Sequence, residues 1–419
     1  MRRPFLQKSS NICDNHNHQI ALLATGLTGF SLFLNLYSTQ MILLPIAEVF
    51  GTTVLEARYT MVAATAGVVF APLFAGRLRQ GKAIQVAALA AMTLTAGLAA
   101  AAPGLWTLVG IRFCQGILVG VLFIQSMARI AAVHRPRFGA LSNCLFVSST
   151  TLGGFTSRFL PAYLVDDVGV RATFLVLAAM MLMICAAVHI APVPEADEDA
   201  RREPEVSVGS VSERRRAFTA EYLLGFCVLF SQASIYTYLP VRLAHAPFSL
   251  GNRQIALIAL VFLLGAASAP LTVRVTRDDL SKVAISLFFG CVAVGALMTG
   301  IPNLYAVAGG LALFSVGAFA LQAMLSRRLT ARAGASTPRI FAVYMAVYYL
   351  GGSAGSYVSG NVWAASGFSG VVLVVMSAAA LGGTALYVQA AWRPAVAWRA
   401  AIAGGPLFIS DPRKHRSAR

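Results

Sequence analysis

Acidic residues are scarce in this chain. Its 419 residues include sixteen Asp and Glu against thirty-three Lys and Arg, a formal net charge of +17, and only 12% are charged at all. An ordinary soluble protein has about a quarter of its residues charged. Seven acids lie in one stretch between Pro192 and Arg216. The other nine (Asp14, Glu48, Glu56, Asp166, Asp167, Glu221, Asp278, Asp279 and Asp411) fall at the ends of apolar runs or outside them. A carboxylate relay in mid-membrane, which many proton-driven carriers use, is therefore missing. Six cysteines are present and none forms a CxxC pair, which excludes an obvious zinc site or disulfide framework. There is no Walker-type phosphate loop, so ATP drive and metal chemistry are unsupported. A catalytic cluster and an appended soluble domain are likewise missing, so no enzyme is expected.

What the chain has is length of apolar sequence. It is 58% hydrophobic, with a mean hydropathy of +0.71. Twelve apolar runs reach spanning length: Ile20–Ile46, Tyr59–Gly76, Ala83–Ala101, Trp106–Met127, Phe138–Leu160, Ala172–Ala191, Tyr222–Pro240, Ile255–Val273, Val283–Ile301, Leu304–Leu325, Ile340–Ala364 and Gly370–Ala391. In lipid every backbone group must pair within its own segment, so these runs are expected to be helices. The short alternating strands of a membrane barrel would not produce such unbroken runs. The first run is too long for a signal-peptide core and is read as a retained helix.

The basic residues sort these helices. Arg58, Arg171, Arg242 and Arg253 flank runs on one side, and Arg112 and Arg158 lie inside runs. All the remaining Lys and Arg fall in the termini and alternate loops of the other side. By the positive-inside rule that side is cytoplasmic, with both termini. Clusters placed this way are a topology signal, so the basic charge does not imply a nucleic-acid partner.

The stretch from Pro192 to Arg216 separates six runs from six. It is acidic and basic by turns, with little to bury, and reads as a cytoplasmic linker. The two sixes echo each other. Leu152-Gly153-Gly154 recurs as Leu350-Gly351-Gly352, Gly169 as Gly367, and Leu44-Pro45 as Leu239-Pro240, at similar offsets. The expected architecture is all-α: twelve transmembrane helices in two pseudo-symmetric six-helix bundles. The parts are an N-terminal tail (1–19), a first bundle (20–191), a linker (192–219), a second bundle (220–391) and a basic C-terminal tail (392–419). Transporters are often built from such repeats, with the substrate held between them near the bilayer midplane.

Arg112 is the only charge in its run. A guanidinium in hydrocarbon is expensive and by default marks function. The bland alternative is snorkelling, since a helix starting at Trp106 puts Arg112 only roughly 9 Å below the surface. Gln115 shares its helix face. Gly116 and Gly120 would let another helix approach closely. Other polar groups on apolar runs are candidates for lining a solute path: Asn35, Tyr37 and Gln40 in the first run, Gln232, Tyr236 and Tyr238 in the seventh, Gln322 in the tenth, and Tyr348 and Tyr349 in the eleventh. Interhelical hydrogen bonding and interfacial anchoring are the competing roles for each. Gly153, Gly154, Gly351, Gly352 and Gly355 are candidates for tight packing where bundles slide. Arg158, read as close to the outer end of its helix, is expected to snorkel.

Over nearly its whole length, Ile20 to Ala391, the chain resembles the major facilitator superfamily, and within it bacterial sugar-efflux and drug-efflux permeases. Arg112-Phe113-Cys114-Gln115-Gly116 is similar to that group's Arg-x-x-Gln-Gly motif, which the family links to proton coupling. Gly153-Gly154 is similar to the end of the antiporter motif, without its usual proline. Tyr348-Tyr349-Leu350-Gly351-Gly352-Ser353-Ala354-Gly355 resembles the helix-11 glycine motif. The loop after the second helix, Gly76-Arg77-Leu78-Arg79-Gln80-Gly81-Lys82, is shorter than the family's pattern and lacks the acid that helps latch the halves in relatives. The resemblance implies a secondary carrier of the bacterial inner membrane that exports a small organic solute by alternating access, with proton entry as drive. No cofactor is expected beyond that proton. The partners are the solute and membrane lipid, and the working unit is a monomer. The alternatives are an uncoupled facilitator or importer and, more remotely, a non-transporting sensor or enzyme on the same scaffold.

Overall fold

The computed structural model describes residues 4–75, 78, 81–131, 136–191, 218–268, 272, 278–333 and 337–402. Gly76, Arg77 and Arg79 of the loop motif, and the linker from Pro192 to Ala217, lie outside these.

Among the described residues all regular structure is helical. In chain order the helices are α1 (Pro4–Leu36), α2 (Leu43–Phe50), α3 (Val54–Ala57), α4 (Tyr59–Ala75), α5 (Lys82–Ala100), α6 (Leu105–Ala131) and α7 (Pro136–Ile190). After the linker come α8 (Thr219–Ala244), α9 (Asn252–Ile258), a 3-10 turn at Ala259–Val261, α10 (Phe262–Ser268), α11 (Asp278–Gly300), α12 (Leu304–Ala333) and α13 (Thr337–Ile402). Two apolar segments, Cys144–Ile190 in α7 and Ile340–Ala385 in α13, have the length of two crossings each. Each bends at a glycine, Gly169 (φ 79°, ψ 169°) and Gly367 (φ 63°, ψ −156°). That backbone region is all but closed to residues with a Cβ. With each long segment taken as a helical hairpin and the α9–α10 segment as one span, the described helices are consistent with twelve crossings.

Two ends differ from the hydropathy boundaries. The first helix starts at Pro4, so polar residues before Ile20 continue it, and α13 runs to Ile402, into the stretch read as a tail. Helix propensity needs no apolar residues, so a helix outruns the span it contains.

The first apolar run is not one helix. The α-helical pattern stops at Leu36 and resumes at Leu43, and the residues between form tight turns such as Gln40 N–H to the Tyr37 carbonyl at 3.0 Å. No glycine or proline stands in the break itself. Its counterpart α8 runs unbroken from Thr219 to Ala244.

The halves pack by equivalent contacts. In the first, α1 lies on α7 and α4 on α6; in the second, α8 lies on α13 and α12 on α10 and α11. A methyl added at Gly153 would strike the Phe30 carbonyl of α1, and one at Gly351 would strike the Phe226 carbonyl of α8. Gly116 faces the Ala64 carbonyl and Gly120 the Ala71 side chain, bringing α6 against α4. Gly355 is pressed on the Phe230 carbonyl. Small residues allow this backbone approach, and dispersion then holds helices that lipid does not drive together. The halves meet along α4 with α13 and α7 with α9.

Candidate functional site

Arg112 is 1% exposed and does not reach a surface. Its guanidinium turns to the break in the first helix. Nη1 donates to the Asn35 carbonyl at 2.7 Å and to the Gln115 amide oxygen at 2.7 Å, with Ser38 Oγ at 3.2 Å and Asn35 Oδ1 at 3.3 Å. Nη2 donates to the Leu36 carbonyl at 2.5 Å. A helix end leaves carbonyl oxygens without partners and carries partial negative charge. Arg112 supplies both the donors and the opposite charge, from another helix. The bland alternative of snorkelling therefore does not hold, and the residue caps a helix end inside the protein.

The break sets the direction of the residues that follow it. Tyr37 and Gln40 are both buried, and both meet Arg158 of α7. Arg158 Nε donates to Gln40 Oε1 at 2.8 Å and Nη1 to the Gly154 carbonyl at 2.8 Å. Its guanidinium carbon lies 4.0 Å from the centroid of the Tyr37 ring, and 5.2 and 4.8 Å from those of Tyr236 and Phe262 in the other half. Such cation–π geometry is more stabilising away from water. The snorkelling expected for Arg158 is therefore corrected, since the side chain is 3% exposed and held within the protein. Sequence reasoning ended its helix at Leu160, but α7 continues to Gly169 before bending. About ten further residues at 1.5 Å each put Arg158 roughly 15 Å from that end. The available signal was Pro161 to Val165, which keeps the run apolar up to Asp166.

Several expected residues gather here. Tyr236 hydrogen-bonds Ser315 at 2.7 Å, and its ring packs edge-on against Phe262 and Phe314. Tyr37 also meets Tyr349, which stands edge-on to Tyr348 at 5.5 Å. Gln40 Nε2 crosses to Thr237 Oγ1 at 3.1 Å. Gln232 is buried one helical turn before Tyr236, and its amide nitrogen has no partner. Two candidates fall elsewhere. Tyr238 donates to the Ser356 carbonyl at 2.9 Å and stacks on Trp363, tying α8 to α13. Gln322 is half-buried on α12 and joins none of these contacts. Sequence reasoning missed Thr237, Phe262 and the central pair Thr65 and Ser353, whose hydroxyls meet at 2.8 Å across the halves. Small hydroxyls and a Phe in apolar helices give no signal that separates them from packing.

The interface is sealed on the face away from the termini. Arg58 Nη2 donates to Asn361 Oδ1 at 2.8 Å and lies over the rings of Tyr59 and Tyr357. Asn252 Nδ2 donates to Asp166 at 2.7 Å, and Arg253 pairs with Asp167. Toward the basic face a small cavity of about 10 Å³, room for about one water, lies between the halves, beside the stacked rings of Phe123 and Phe341. Val68, Pro72, Gly120 and Phe123 line one wall, and Met345, Ala346 and Tyr349 the other. Glu221, at the basic-face end of α8, is the one buried acid among the residues whose side chains are described, and it pairs with Arg328 at 3.0 Å.

Residues 23–356 match the model of the Major Facilitator Superfamily. The chain belongs to that superfamily. It is similar to an uncharacterized transporter of Buchnera aphidicola subsp. Schizaphis graminum, 25% identical over 82% of this chain and 84% of the relative. It is also similar to the inner membrane transport protein YnfM of Escherichia coli, 25% identical over 88% of this chain and 90% of the relative. Among solved structures it shares its fold with a bacterial homologue of the human lysosomal transporter Spinster, described as inward-facing and unoccupied. That match has a TM-score of 0.66 and 13% identity, covering 90% of this chain and 96% of the other. Membership of the superfamily makes the protein a polytopic membrane transporter. The interface between its halves is where a solute path can lie.

Proposed function

We propose that this superfamily member carries a small organic solute out of the cell across the bacterial cytoplasmic membrane, by alternating access, with proton entry as the drive. The carrying observation is the polar and aromatic site around Arg158, built from both halves and sealed toward the face away from the termini. Residues that touch across the seal must part when the halves rock the other way, and a site at that seam changes sides without crossing lipid. We read the basic face as cytoplasmic on the positive-inside rule, so the sealed face is the outer one. The working unit is read as a monomer without a cofactor.

A second reading, an uncoupled facilitator, is favoured by the interior itself. Both Arg112 and Arg158 lack a carboxylate partner among the described residues, and the one described buried acid, Glu221, sits at the basic-face end. Counterflow in proteoliposomes, with and without an imposed pH gradient, separates the two. Counterflow that a gradient accelerates or biases supports coupling. Counterflow indifferent to it leaves the facilitator, and no flux of any tested solute would sink both.

A further inference from the structure

We propose that the carried solute is an organic anion, its charge received by Arg158 and its flat apolar body by the rings of Tyr37, Tyr236 and Phe262. This rests on reading the seam as the solute path.

Arg158 is a buried cation whose partners are all neutral. They are one amide oxygen, one backbone carbonyl and three ring faces. A charge removed from water is normally met by an opposite charge, because dipoles compensate only part of the lost hydration. Here the compensation is incomplete. One buried donor on the same seam is also unused: the Gln232 amide nitrogen, one turn before Tyr236, has no partner, whereas the unpaired Asn35 amide belongs with Arg112. An uncountered guanidinium with such a donor on its seam is complementary to carboxylate, sulfonate or phosphonate oxygens.

The other two buried arginines do not take this role, and Arg58 lies in the seal on the face away from the termini, over Tyr59 and Tyr357. The Nη groups of Arg112 are held by the carbonyls of the broken helix and by Gln115, so it positions Tyr37 and Gln40. Tyr349 lines the small cavity toward the basic face, and Tyr37 lies against Arg158, so the site and that cavity share one seam. Aromatic faces alone would also suit a cation, but the Arg158 guanidinium already lies over one face of each ring and would repel a second cation, while an apolar body can use the ring surface it leaves.

The test uses the full-length protein in detergent and in everted membrane vesicles. The probes are 1-naphthoate, naphthalene-2-sulfonate and phenylphosphonate, with 1-naphthamide as the neutral and 1-naphthylmethylammonium as the cationic counterpart. At least one anion should raise the thermal midpoint where the amide and the ammonium do not. Arg158→Gln should weaken half-saturation by that anion more than tenfold, and Arg158→Lys by less. Any weak binding of 1-naphthamide should be unchanged in both variants. A merely structural Arg158 would lower anion and amide binding alike, and that result overturns the proposal. So does equal stabilisation by naphthoate and naphthamide, or no stabilisation by any of the three anions. If Arg158→Gln fails to fold, the Lys variant and the wild-type charge ordering decide. Uptake of the amide or the ammonium without any anion would overturn the anion while leaving the carrier intact. A bound anion that never crosses would overturn the carrier reading and not the binding site.

Discussion

The Arg112 guanidinium ends the first helix by donating to the Leu36 carbonyl, 2.5 Å away and from a different helix. Removing it would strand the Leu36 carbonyl and the Gln115 amide oxygen in a buried setting, at about 1–3 kcal/mol for each unmatched group, while the Asn35 carbonyl keeps the Ser38 hydroxyl. Arg112→Ala should therefore lower stability by several kcal/mol, read as the midpoint of thermal unfolding in detergent. Arg112→Lys keeps the charge but cannot fork to two carbonyls, and should fall between. An Ala variant as stable as the parent would show that the break holds without its cap.

Two adjacent glycines should behave oppositely. A Cβ at Gly153 would overlap the Phe30 carbonyl, which is backbone and cannot yield, whereas at Gly154 the nearest atom is Arg158 Nη1 at 3.5 Å. Gly153→Ala should cost about 1–3 kcal/mol or more by overpacking. Gly154→Ala should be neutral or slightly stabilising, since Ala is the better helix former. Membrane abundance and thermal midpoints of the two variants check this, as does Gly351→Ala, which should behave like Gly153→Ala.

The contacts that seal the opposite face differ in what they are worth. Arg253 and Asp167 are about half exposed, at 50% and 48%, and such pairs contribute about 0–1 kcal/mol and less in salt. Arg58 is buried and meets Asn361 and two rings from its own side of the seam and the other. Asp167→Asn should leave transport close to wild type, with at most a small change that high salt abolishes. Asn361→Ala should shift the halves toward opening on that face. The shift would be read as faster labelling of a cysteine introduced at Thr237, in a background without native cysteines, by an impermeant maleimide added from that side. Equal labelling in parent and Asn361→Ala would remove Arg58 from the seal.

Much of the fold was legible because lipid leaves the backbone one local solution, so each long apolar run reads as a helix. The repeat was legible too, through glycines whose place is fixed by backbone contact, as at Gly153 and Gly351. The break after Leu36 was not, since the group that satisfies its carbonyls, Arg112, is distant in sequence, and the one local breaker, Pro45, recurs as Pro240 inside the unbroken α8. Arg158 was seen but misplaced by two turns, because its helix was ended at Leu160 when the chain stays apolar to Val165. The gathering of Tyr37, Gln40, Tyr236 and Tyr349 could be named residue by residue, but their meeting point depends on that one arginine.

The sign of the cargo also fixes how much work the membrane potential can do. Moving one elementary charge across 100 mV is worth about 2.3 kcal/mol, roughly a fiftyfold concentration ratio. In a cell with a negative interior, that pushes an anion outward. An uncoupled carrier with Arg158 as its receiving group would then export without any acid in the membrane, consistent with neutral partners alone around that guanidinium. One-proton exchange would move two charges per cycle, so the ratio would rise as the square and also respond to pH. Proteoliposomes held positive inside by a potassium gradient and valinomycin should accumulate naphthoate, if it is the anion that binds. A ratio near fifty at 100 mV, indifferent to a pH gradient, selects the facilitator. A ratio in the thousands that falls when the pH gradient is reversed selects exchange, and accumulation independent of the potential would mean that the moving species carries no net charge.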